Sequence, residues 1–181
     1  KPPSLSECDS NVAESPISIA TSKGHTMIVA LLIATGYTTR LSCFNSARVA
    51  IKANDIRMLR ILSSSFTFEN GYGILLLSLA CAQLRVDAVQ ELLSLQDIID
   101  GTKKFEMSMH DYDFAHPICA AIKAGSLPIV QMLVSAGLGA KKLDLFLHCS
   151  VDCKQMSIVA FLISAGADVM YKCPTSRRTM V

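Results

Sequence analysis

Hydrophobic residues along this chain recur in short stripes at helical spacing, and a turn signal follows each stripe. The clearest example is segment 116–137, which reads HPICAAIKAGSLPIVQMLVSAG. Pro117 and Pro128 stand where two helices would begin, because the first turn of a helix does not need the missing proline N–H. Gly125 and Gly137 stand where those helices would end in the left-handed conformation. The segment therefore predicts two short helices joined by a tight turn.

The second of these helices carries one apolar face. Its residues at i, i+1, i+4 and i+5 are Ile129, Val130, Leu133 and Val134, which is the spacing of a helical stripe. A pair of helices this short cannot bury its apolar surface alone and requires similar pairs on either side. We therefore expect internal repeats.

The same frame recurs five times along the chain. With His116 as position 1, the frame has a small residue at position 6, a turn residue at position 10 and apolar residues at positions 14, 15, 18 and 19. The five units begin at Ser15, Asn45, Leu75, His116 and Leu145, so their starts are separated by 30, 30, 41 and 29 residues. The second and third units are degenerate, since Asn54 and Leu84 replace the turn glycine.

These units resemble the ankyrin repeat, whose unit of about 33 residues carries a T-P-L-H-x-A motif. Segments 15–17 and 116–118 stand in for T-P-L, His25 follows Gly24 as in the family's G-H pair, and segment 166–169 reads G-A-D-V. The resemblance covers about residues 10 to 169, although the units run short. It implies an all-α fold, an ankyrin-repeat solenoid of about five stacked helix-turn-helix units with short β-turn fingers.

The resemblance also implies one domain over residues 1–181. Within it we expect an N-terminal arm at 1–14 and a polar tail at 170–181. The longer spacing before the fourth unit predicts an insertion at 97–115, and insertions in such repeats project as fingers from the binding edge.

Composition narrows the possible partners. The formal net charge is +2, with 51% apolar residues and no long basic block, so neither nucleic acid nor a membrane is expected as partner. The chain begins with Lys1 and holds seven cysteines, a combination that favours a secreted origin after removal of a signal peptide. A shortened chain from a cytoplasmic protein is the alternative.

Candidate catalytic groups are weak. His148 and Cys149 are adjacent on one predicted helix and point to different sides, and no phosphate-binding glycine loop occurs. Cys119 and Cys153 could join them in a metal site, but zinc needs four converging ligands. We therefore expect no enzyme activity, no cofactor and no metal, with a thiol or metal-dependent enzyme as a weaker alternative. In the family, the residue at the place of His148 hydrogen-bonds the turn backbone.

The remaining thiols are expected in two environments. Cys81, Cys119 and Cys149 fall inside predicted helices and are expected to be buried. The arm and a finger hold Cys8 and Cys43, which could form a disulfide in a secreted protein, although spacing alone does not fix connectivity.

The resemblance places a binding surface on the exposed side of the first helices and on the fingers. The helix positions are Lys23, Lys52, Gln83, Lys123 and Asp152, and the finger positions are Phe44, Tyr72, Tyr112, Asp113 and Asp144. Aromatic side chains beside basic ones are common in protein interfaces, although lysines also occur simply as the solvated face of helices.

The function implied is a non-enzymatic, monomeric protein-binding module. Degenerate repeats and many cysteines resemble secreted ankyrin effectors of intracellular pathogens, which bind a host signalling or regulatory protein such as a kinase. The alternative is an intracellular ankyrin adaptor or a fragment of a larger ankyrin protein.

Overall fold

The chain folds into helices throughout the described part of a computed structural model, which comprises residues 15–36, 38–65, 71–108 and 116–171. No strand occurs in these ranges, so the predicted all-α class is confirmed. The helices are α1 (Pro16–Ser22), α2 (Thr26–Ala34), α3 (Arg40–Ala53), α4 (Ile56–Ser65), α5 (Tyr72–Ala82), α6 (Val86–Leu93), α7 (Gln96–Ser108), α8 (Pro117–Lys123), α9 (Leu127–Ser135), α10 (Leu143–Asp152) and α11 (Met156–Ser164).

The helices pack as five pairs in two rows. Within the pairs, α1 contacts α2, α3 contacts α4, α5 contacts α6, α8 contacts α9 and α10 contacts α11. The first helices contact one another in the order α1, α3, α5, α8, α10, and the second helices in the order α2, α4, α6, α9, α11. A single hydrophobic core therefore runs along the stack from Ile17 to Ala167.

The same turn joins the two helices of every pair. Position 10 has a left-handed φ between 56° and 72° in all five units, at Gly24, Asn54, Leu84, Gly125 and Lys154. In each unit the N–H at position 11 donates to the carbonyl at position 6 over 2.9 to 3.1 Å. This bond satisfies a carbonyl that the end of a helix would otherwise leave open. The turn is thus retained where the sequence lacks glycine.

Helix α3 begins earlier than the frame predicts. The Ser42 N–H donates to the Thr39 side chain over 3.1 Å, and the Thr39 N–H donates to the Ser42 side chain over 3.0 Å. This reciprocal capping starts a helix at Arg40. Cys43 and Phe44, which we expected in a finger, therefore lie inside α3 and are fully buried.

The insertion before the fourth unit also differs from the expectation. Residues 96–108 form helix α7, which packs against α5 and α6, rather than an extended finger. Ile98 and Thr102 are buried on one face of α7, and the Thr102 hydroxyl donates to the Ile98 carbonyl over 2.7 Å. Their spacing of four residues places both side chains on the same face of the helix. Residues 109–115 lie outside the described ranges.

The predicted β-turn fingers have no support in the described residues. Between α9 and α10, the connection turns through Gly137 and Gly139 at φ of 79° and 74° and buries Leu138 completely. The finger positions at 66–70 and 109–115 lie outside the described residues, as do the arm at 1–14 and most of the tail, from 172 onwards.

Candidate functional site

A row of exposed polar side chains follows the ends of the first helices. We call it the turn edge and define it as Lys23, Lys52, Gln83, Lys123 and Asp152, all of which are exposed. Each residue occupies the last turn or the C-terminal cap of its helix. Because the first helices contact one another in order, these ends succeed one another along one edge of the stack. The structure therefore brings together the five helix positions predicted from the sequence.

The charge along the turn edge is mostly positive. Lysine near a helix C-terminus is favoured by the helix dipole, so Lys52 and Lys123 also stabilise α3 and α8. Packed helices lie roughly 8–10 Å apart, which is comparable to the Debye length of about 8 Å at physiological salt. Neighbouring charges along the row therefore act together on an approaching partner.

Arg85 joins the turn edge, although the sequence pattern did not single it out. Its Nη2 donates to the Lys52 carbonyl oxygen over 3.1 Å and so ties the third unit to the second. Arg85 stands at position 11, directly after the left-handed Leu84. A basic residue beside the turn between the two helices of a unit was the available signal.

The described members of the predicted finger set are buried or half-buried. Phe44 was predicted to contact a partner, and this is wrong because its side chain is fully buried. Tyr72 is half-buried, with its ring centroid 4.7 Å from that of Phe44. The Asp144 carboxylate accepts a hydrogen bond from the Asp168 N–H over 2.6 Å. Tyr112 and Asp113 lie outside the described residues.

Three thiols gather where α8 meets α10. The Cys149 thiol hydrogen-bonds with those of Cys119 and Cys153, and Lys123 comes near both Cys149 and Cys153. The hydrogen bond with Cys119, together with burial, raises the pKa of Cys149. Burial also raises the pKa of Cys153. Because the thiolate is the nucleophile, this environment disfavours the reactive form.

The described residues offer no ligand set for a metal. No group of three or more His, Cys, Asp or Glu side chains among them could hold an ion. The His148 Nδ1 lies 3.4 Å from the Asp152 Oδ2, a contact with a side chain on its own helix.

Cys43 does not fit the disulfide considered from the sequence. The expectation that it lies in a finger is wrong, because it is a free, fully buried thiol inside α3. Burial raises its pKa and that of Cys81, to about 12 in the case of Cys81. Cys8 lies outside the described residues. The five described cysteines are all free thiols.

Thiol labelling tests these environments. With a pKa of about 12 for Cys81, only about one molecule in ten thousand carries its thiolate at pH 8. We expect iodoacetamide at pH 8 to label half-buried Cys153 well before Cys43 or Cys81, as read by peptide mass mapping. Labelling in guanidinium chloride, where all seven cysteines react, is the control. Native Cys81 reacting as fast as Cys153 would contradict the burial described here.

A shallow groove of about 640 Å³ opens between α6 and α9, in the row of second helices. Its lining consists of Gln90, Leu93, Ser94, Pro128, Gln131, Met132 and Ser135. None of these side chains titrates near neutral pH, so the groove supplies no acid, base or strong nucleophile. It has neither the charge nor the regular spacing of the turn edge.

Among the described residues, no helix combines the length and the apolar character needed to cross a membrane. No protein-family model, curated protein or solved structure matches this chain.

Proposed function

We propose that this chain is a non-enzymatic protein-binding module of the ankyrin-repeat kind, which takes its partner along the turn edge. Two observations support the repeat assignment. The five helix pairs share the same left-handed turn, and the first helices of neighbouring pairs pack on one another. The sequence features that resemble the family, such as the Pro117 opening and the 166–169 ending, support it further.

The observation that carries the binding proposal is the turn edge itself. Five equivalent helix ends each present an exposed polar side chain, and three of the five are lysines. A regular row of charge on a rigid stack suits an extended partner surface of opposite charge, because complementary potentials steer association. We therefore propose a partner that presents acidic residues at a comparable spacing.

The resemblance places this partner among signalling or regulatory proteins. A secreted effector acting on a host protein and an intracellular adaptor are two settings for the same surface. The full gene separates them, since a hydrophobic leader directly before Lys1 supports secretion and additional repeats support the adaptor.

Charge reversal along the turn edge tests the proposal. We expect Lys23→Glu, Lys52→Glu and Lys123→Glu together to slow association with the partner by about tenfold or more at low salt, because steering raises association rates by 10- to 1000-fold. The loss is expected to shrink at high salt, where the charges are screened. A partner is first captured from cell extract and purified. Surface-binding kinetics then measure the rate at which the wild-type chain and the variants associate with it.

A matched control carries the same charge change elsewhere. Lys103, Lys104 and Lys141 are exposed on α7 and on the connection between α9 and α10, and their reversal to Glu shifts the formal net charge by the same six units, from +2 to −4. We expect this control to retain most of the wild-type association rate. Equal slowing by both triple variants would attribute the effect to net charge and refute a specific turn edge.

A further inference from the structure

The first unit exposes a position that every later unit buries. Position 14 lies on the second helix of each pair, and it is fully buried at Met58, Ala88, Ile129 and Ile158. In the first unit this position is Ile28, which is 48% exposed. The difference arises because the later units have a preceding helix pair in contact with them. Position 14 therefore marks the face that each unit turns towards the unit before it.

The last unit shows the opposite asymmetry. Position 7 lies on the first helix and is buried in the first four units, at Thr21, Ile51, Cys81 and Ile122. In the fifth unit it is Val151, which is 56% exposed. Position 7 therefore marks the face that each unit turns towards the unit after it.

Both end faces are apolar. We define the N-terminal face as Ile19, Met27, Ile28 and Leu31, and the C-terminal face as Val151, Met156, Ala160 and Ile163, all of which are exposed. Terminal repeats of a solenoid ordinarily carry a polar outer face, which keeps the stack soluble. Exposed apolar side chains grouped at one end of a stack are instead typical of an interaction site.

Contacts inside the stack show which residues meet when one unit covers the next. Arg60, at position 16 of the second unit, pairs with Glu91, at position 17 of the third, with Nη2 and Oε2 2.8 Å apart. Arg85, at position 11 of the third unit, donates to the carbonyl of Lys52, at position 8 of the second. These pairs define the register between adjacent units.

The same pairs of positions can be compared between the last unit and the first unit. Position 16 of the last unit is Ala160 and position 17 of the first is Leu31, so an apolar pair replaces the arginine–glutamate pair. Position 8 of the last unit is Asp152, and the first unit brings Lys23 and His25 to that side of the stack. The two faces are therefore complementary in both apolar character and charge.

We propose that the C-terminal face of one copy of this chain binds the N-terminal face of a second copy, in the register that the internal units use. The interface is heterologous, because different surfaces of the two copies meet, so association can extend beyond a dimer into an open chain. This surface lies at the two ends of the described stack and shares only Lys23 and Asp152 with the turn edge. It replaces the monomer expected from the sequence.

Sedimentation over a range of concentrations tests the proposal. We expect the wild-type chain to associate as its concentration rises, and Leu31→Glu and Ala160→Arg each to remain monomeric. Both residues are exposed, so each variant is expected to keep the wild-type circular dichroism spectrum. Gln131→Glu, on the exposed side of α9, adds the same negative charge as Leu31→Glu and is expected to associate like the wild type.

Mixing the two monomeric variants tests the register. The mixture recreates the Arg60–Glu91 pair between the two substituted faces, and the other two faces are both wild type, so we expect an equimolar mixture to associate beyond a dimer. Three outcomes would overturn the proposal. The first is a wild-type chain that stays monomeric at every concentration, which would mean that the chain's own flanking residues or another partner cover these faces. The second is association unaffected by either substitution, and the third is a mixture that does not associate beyond a dimer.

Discussion

Replacing Leu133 by alanine is expected to lower the free energy of unfolding by about 2–5 kcal/mol, because it removes buried methyl groups and leaves a cavity. Leu133 lies at position 18 of the fourth unit and is fully buried in α9. The α9 helix packs against α6 on one side and α11 on the other. The neighbouring helices are held in place by their own pairs, so they cannot close around the cavity completely.

Urea unfolding followed by circular dichroism measures this loss. The matched control is Leu41→Ala, the same substitution at a residue of α3 that is 49% exposed, for which we expect about 1 kcal/mol or less. Since units couple mainly to their neighbours, hydrogen exchange in Leu133→Ala is expected to rise most in α6, α9 and α11. Equal stability of Leu133→Ala and the wild type would show that the repeat frame misplaces this residue.

Replacing Gly139 by alanine is the second substitution with a large expected effect. A Cβ built on Gly139 would lie 2.5 Å from Ile118 Cδ1 and 2.6 Å from Phe146 Cε2. Both of those side chains are fully buried, so neither can move aside without disturbing the core. Gly139 also has a φ of 74°, which costs a residue with a side chain about 1–2 kcal/mol. With overpacking of about 1–3 kcal/mol, we expect a total loss of about 2–5 kcal/mol.

Gly36→Ala separates the two contributions to this loss. Gly36 has nearly the same φ, 72°, but nothing lies within 4 Å of its built Cβ. We therefore expect Gly36→Ala to lose only the backbone contribution, about 1–2 kcal/mol, in the same urea measurement. A Gly139→Ala variant no less stable than Gly36→Ala would contradict the close packing between α8 and α10.

The helix pairs themselves could be predicted from the sequence because their signals are local. Pro117 at the start of α8, the turn at Gly125 and the apolar stripe of α9 all act within a few residues. The frame also predicted that Cys81, Cys119 and Cys149 are buried, and this is confirmed. The turn edge followed from the same frame, because positions 8 and 9, at the ends of stacked, equivalent helices, fall on one edge.

The site was less predictable where the helices departed from the frame. The Thr39–Ser42 capping box lengthens α3 and carries Phe44 from a finger into the core. Arg85 gained its role through a contact with Lys52, 33 residues earlier, and a contact at that separation leaves no local periodicity. The eleven extra residues before the fourth unit gave no periodic signal long enough to distinguish a packed helix from a finger.

Local chemistry along the chain was thus sufficient for the all-helical class, for the turns within the five helix pairs and for the apolar stripes of their second helices. Other features of the structure depended on contacts between residues that are far apart in the sequence. Leu84 and Lys154 adopt a left-handed φ that their side chains disfavour, because the helices on both sides are held by their neighbours in the stack. Likewise, Ile28 and Ile129 occupy the same position in the frame, yet only Ile129 is fully buried. Burial depends on which unit lies next to a residue, and only packing supplies that neighbour.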